Sequence, residues 1–97
     1  MATYIGLAKF TDQGIRSVKE TTKRAKSFRE MAELAGVKVR EILWTMGRYD
    51  IVLVVEAPDD ETMSRVALRL GMIGNVNTET LKAFSAQDMD KILKGLP

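Results

Sequence analysis

An α+β fold built on one antiparallel sheet is what this sequence predicts, as a single domain over residues 1–97. Three observations carry that reading. Apolar, β-branched runs alternate with stretches whose apolar positions recur at helical spacing. Two of the runs, Val37 to Met46 and Ile51 to Ala57, are separated only by Gly47-Arg48-Tyr49-Asp50, which makes them an antiparallel hairpin. The resulting order is strand, helix, strand, strand, helix, strand, the split βαβ pattern of ferredoxin-like domains.

The first strand runs from Thr3 to Phe10, rich in β-branched and aromatic residues. Thr11 or Asp12 can cap the helix that follows. Its apolar stripe is Ile15, Val18, Ala25, Phe28, Ala32 and Ala35, and Gly36 closes it as a left-handed cap residue. Gly14 and Thr21-Thr22 predict a kink or a broken first turn. The hairpin comes next, and Pro58 stops its second strand because it cannot donate to a ladder. Asp59 is a good N-cap, and Asp60 and Glu61 favour the positive end of the second long helix. That helix carries Met63, Val66, Ala67, Leu70 and Ile73 on one stripe, with Gly71 and Gly74 marking its end. Val76 to Ser85 is the fourth strand. Ser85-Ala86-Gln87-Asp88 resembles a capping box and opens a short last helix with Met89, Ile92 and Leu93.

Right-handed crossovers place both long helices on one face of the sheet. An antiparallel sheet with a wet face should alternate apolar and polar residues. Here both faces read as apolar. Ile51, Leu53 and Val55 oppose Val52 and Val54, and Ile5 and Leu7 oppose Tyr4, Ala8 and Phe10. In the second strand Ile42, Trp44 and Met46 are expected to oppose Val37, Val39 and Leu43. Covering ~500 Å² of apolar surface per chain contributes on the order of 12 kcal/mol before association costs. A homodimer joined sheet to sheet is therefore expected, with edge strands free for higher association.

Composition narrows the chemistry. There is no Cys and no His, so thiolate nucleophiles, zinc-thiolate sites and the commonest general base are excluded. No cofactor and no metal are expected. Asp59-Asp60-Glu61 reads as a helix start rather than as a cation site. Net charge is +2, which argues for no particular partner. Arg16, Lys19, Lys23, Arg24, Lys26 and Arg29 make the first helix basic, but no aromatics interleave to stack on bases, so no nucleic acid is expected. No basic segment precedes an apolar stretch at the start, and no apolar run approaches the ~20 residues of a membrane span. A soluble, cytoplasmic protein that meets no membrane is the expectation.

Several segments together resemble one family. They are Thr11-Asp12-Gln13-Gly14-Ile15-Arg16, Gly36-Val37-Lys38-Val39, and Trp44-Thr45-Met46-Gly47-Arg48-Tyr49-Asp50-Ile51-Val52. Glu56-Ala57-Pro58-Asp59-Asp60-Glu61-Thr62 and Gly74-Asn75-Val76-Asn77-Thr78-Glu79-Thr80-Leu81-Lys82-Ala83-Phe84-Ser85 extend the likeness. The chain resembles the GYD domain family over about Thr3 to Leu93, with Arg48 set between the Gly and the Tyr-Asp of the naming motif. The resemblance implies a dimeric α+β barrel of uncharacterised function and carries over no catalytic residue. The run from Gly47 to Ala57 is also similar to the effector-binding domain of leucine-responsive regulators, which implies a small-molecule ligand near a dimer interface.

The candidate ligand-binding residues are Tyr4, Trp44, Arg48, Tyr49 and Asp50. Arg48 or Tyr49 can meet an anionic or polar ligand between subunits, while Asp50 can equally accept turn N–H groups. Tyr4 and Trp44 can line a pocket with their rings or pack in a core. The expected role is that of a homodimeric small-molecule-binding or accessory protein. The alternative, by fold analogy, is a small cofactor-independent isomerase or oxygenase.

Overall fold

A computed structural model describes every residue from Met1 to Pro97. The strands β1 (Ala2–Phe10), β2 (Lys38–Trp44), β3 (Ile51–Ala57) and β4 (Val76–Ala83) form one antiparallel sheet in the order β2-β3-β1-β4. The helices are α1 (Asp12–Arg16), α2 (Thr21–Leu34), α3 (Asp60–Ile73) and α4 (Ala86–Lys94). This is the expected βαββαβ order with a terminal helix. The core lies between the sheet and α2 and α3. Tyr4, Val39, Leu53 and Val55 meet Phe28 and Ala32 from α2 and Met63 and Val66 from α3.

The first helical stretch is broken where Gly14 and Thr21 predict a break: α1, a 3₁₀ turn at Val18–Glu20, then α2. Long-range polar contacts hold the break. Thr11 caps α1 by accepting from the Gly14 N–H at 3.0 Å, and its hydroxyl donates to the Gly74 carbonyl at 2.6 Å. Gln13 donates to the Ile73 carbonyl and to Asn75 Oδ1. At the far end of α1, the Arg24 guanidinium donates to the carbonyls of Ser17 and Gly14 and so satisfies free helix-end acceptors. The polar cluster at this helix start is thus a clasp onto the α3–β4 turn.

Termini elsewhere follow local chemistry. Asp59 accepts from the Thr62 N–H at 2.8 Å at the start of α3. That helix passes through Gly71 and ends at Gly74, whose φ of +90° an L side chain rarely adopts. Ser85 and Asp88 form a reciprocal capping box for α4.

One expectation about the sheet is corrected. The register shifts between Val39 and Glu41, so that Val39 faces Val55 while Ile42 faces Leu53. The extra residue, Arg40, reverses the alternation of β2. Ile42 and Trp44 therefore share the helix-covered face with Val39, and Leu43 turns to the other side. The Arg29 guanidinium of α2 donates to the Val39 carbonyl at this bulge, at 2.7 Å. No helix is long and apolar enough to cross a membrane.

Candidate functional site

The face of the sheet turned away from α2 and α3 carries two apolar rows. Leu43, Val52 and Leu7 lie side by side across β2, β3 and β1, and Val54, Ile5 and Leu81 across β3, β1 and β4. Leu43 and Leu81 are about half exposed, at 52% and 49%. The rows are rimmed by charge. Arg40 pairs with Glu56 on the neighbouring strand, which holds the Glu56 carboxyl below its ordinary range. Glu79 stands beside Leu7 at the β4 edge. An apolar centre inside a polar rim is the anatomy of a protein interface.

The hairpin end closes over one end of this face. Gly47 has a φ of +111°, which bends the chain back. Thr45 N–H donates to the Asp50 carbonyl and Asp50 N–H to the Ala8 carbonyl, each at 2.8 Å. The Asp50 carboxylate accepts from the Phe10 N–H at 2.8 Å. Asp50 therefore staples the hairpin to β1. Tyr49 reaches over the open face: its hydroxyl donates to Glu79 at 3.0 Å, and Lys9 sits 5.6 Å from its ring centre. The bond to the Glu79 carboxylate raises the Tyr49 phenol above its ordinary value. Arg48 is exposed beside it.

Tyr4 and Trp44 lie elsewhere. Tyr4 is 4% exposed on the helix side of β1, and its hydroxyl donates to the Asp60 carboxylate at the start of α3. Lys82 joins the same carboxylate at 3.1 Å. The bond to Asp60 pushes the Tyr4 phenol up to about 12, aided by burial and by the charges of Asp60 and Asp59. The same bond, with Lys82, holds the Asp60 carboxyl below its ordinary range. A cleft of about 240 Å³ opens beside this triad. Trp44 is on the helix side at the other end of the sheet, where its indole N–H donates to Thr21 at 3.0 Å.

The five candidate residues thus occupy three places. Arg48, Tyr49 and Asp50 gather at the hairpin end, and Tyr49 faces the open sheet. Tyr4 and Trp44 point to the opposite face, two strands apart and four residues apart along the sheet. Asp60, Glu79 and Lys82 are partners that residue type alone did not single out. The period-two alternation of β4, which puts Glu79 with Leu81 and Lys82 with Thr80, was the available signal.

Comparison with known proteins agrees with this architecture. The model of the GYD domain family matches residues 4–93. A relative from Thermus thermophilus, named glutamine synthetase and cystathionine beta-lyase binding protein, is 37% identical over 95 residues, covering 97% of this chain and 100% of its own length. The crystal structure of TTHA0845, also from Thermus thermophilus, superposes with a TM-score of 0.59 at 26% identity, over 89% of this chain and 96% of that one.

Proposed function

This chain belongs to the GYD domain family, and from that premise we propose that it is a homodimeric accessory protein that docks on metabolic enzymes. The observation that carries the reading is the placement of its large apolar side chains. Two groups of them stand exposed on separate surfaces. One is the open sheet face already described. The other is α4, whose Met89, Ile92 and Leu93 recur at helical spacing and stay 43–48% exposed. In this reading the sheet face meets a second copy and α4 meets the enzyme. The end-to-end likeness to an enzyme-binding relative supports it.

Arg48 and Tyr49 then sit at the rim of the dimer, where an anionic or polar small molecule would be held between copies. The enzymatic alternative has less support, because the Asp50 carboxylate is committed to the Phe10 N–H.

The test is a sedimentation experiment with the purified chain and, separately, glutamine synthetase and cystathionine β-lyase from the same organism. The native chain is expected to co-migrate with at least one of them. Ile92→Asp should abolish co-migration and leave self-association intact. Native chain that migrates apart from both enzymes, at concentrations of tens of micromolar, would refute the assignment.

A further inference from the structure

The two long helices lie apart on the sheet, with α2 over β2 and α3 over β3 and β4, and between them runs a cleft of about 490 Å³. Phe10, Ile51 and Val76 floor it, and Phe28, Leu70 and Ile73 wall it. That volume falls within the roughly 300–1,000 Å³ typical of small-molecule sites. The mouth has the opposite character. Lys23, Arg24 and Arg69 stand around it against a single carboxylate, Glu20. Glu20 is already paired with Lys23 at 3.4 Å. Arg24 is committed to the α1 carbonyls. Arg69 is exposed and makes no ion pair.

We propose that this cleft binds an amphipathic anion, an aliphatic or aromatic body ending in a carboxylate, with the body on the apolar floor and the anionic end at Arg69 and Lys23. The floor selects against hydrophilic ligands, because its apolar surface is covered only by an apolar body. The mouth selects for negative charge, because its three cations outnumber its one carboxylate and Arg69 is unpaired. The cleft is on the opposite face of the sheet from the surface assigned to the second copy, so this inference goes beyond the docking role and fails or holds independently of it.

The chain carries its own reporter. Trp44 is the only tryptophan, and its indole N–H donates to Thr21, which lines the cleft. Titration of the full chain with decanoate, below its micelle concentration, should give a saturable change in Trp44 emission. The neutral analogue decanol should bind about tenfold more weakly or worse, a difference of about 1.4 kcal/mol. Lys23→Ala combined with Arg69→Ala should remove most of that preference while leaving decanol binding within about twofold, and Arg69→Lys should restore part of it, because a point charge replaces a fork. Both substitutions are at exposed positions and leave the core untouched. No saturable change, or equal affinity for acid and alcohol, would overturn the proposal. So would decanoate displaced by raising the protein concentration, which would give the cleft to a second copy instead.

Discussion

At the scale of the residue, the polar side chains that looked most like chemistry are largely occupied by the fold. Tyr4 shows this best. Its phenol is held up to about 12 by the Asp60 carboxylate, and both partners gain from the bond, so the pair leaves signatures at two ends of the pH scale. A phenol whose folded value is raised contributes stability that is complete below its unfolded value near 10 and is lost as pH climbs from 10 to about 12. A carboxyl whose folded value is lowered contributes stability above its unfolded value, lost as pH falls through the folded one. An absorbance titration of the tyrosines should therefore give one step near 12 and, because Glu79 also raises Tyr49, none at the ordinary 10. Asp60→Asn should bring one step back toward 10 and weaken the acid dependence of the urea midpoint. Two steps at 10 in the native chain would discount the Tyr4–Asp60 bond. Residue type picked out four groups that make specific side-chain hydrogen bonds, Tyr4, Trp44, Tyr49 and Asp50, and one, Arg48, that stands exposed. It did not say that they occupy three places, because partners such as Asp60 and Glu79 are brought near by the pairing of elements distant in sequence.

At the scale of the element, existence and order were legible and exact alternation was not. Apolar spacing, Pro58, Gly36 and Gly74 placed every strand and long helix, since each of these signals acts within a few residues. The bulge at Arg40 was hidden because it depends on a partner. Arg29, on the preceding helix, takes the Val39 carbonyl, and one extra residue then moves Ile42 and Trp44 across the sheet. The broken first helix lies between these cases. Gly14 hinted at it, and the reason is tertiary: a Cβ there would meet the Asn75 carbonyl oxygen at 2.0 Å, which real Cβ atoms do not approach. Gly14→Ala is accordingly expected to push α1 off the α3–β4 turn and to cost about 1–3 kcal/mol, as overpacking does. Urea denaturation measures it. Gly71→Ala is the control, since its Cβ meets open space and it sits inside α3, where Ala is the better helix former. That variant should be neutral or slightly stabilising, and equal losses for both would deny the close approach its importance.

At the scale of the whole molecule, the fold leaves its core thin. Only 14 of 97 residues are buried, and the molecule extends 52 × 31 × 18 Å with a radius of gyration of 14.6 Å. A compact chain of this length would give about 13 Å. The terminal helix α4 is exposed along its whole length, and Leu43 and Leu81 of the open apolar rows stay about half exposed. Those rows are central, each spans three strands and charge flanks them, so the proposed dimer would remove them from water as a face-to-face copy related by a two-fold axis. Val54 lies on β3, one of the two central strands of the sheet, at the end of its row and next to Ile5. Val54→Lys would place an ammonium against apolar neighbours in the assembly while remaining free to reach water in the isolated chain. Native protein is expected to sediment as a dimer at micromolar concentration. The variant should raise the dissociation constant about a hundredfold or more, or about 2.7 kcal/mol, with its far-ultraviolet circular dichroism unchanged. Lys9→Ala, which removes a charge from beside Tyr49 at the end of the face, should leave the dimer in place and alter mainly its salt dependence. A native chain that is monomeric throughout this range would leave the apolar rows to a heterologous partner, and Val54→Lys would then act on enzyme binding in place of Ile92→Asp.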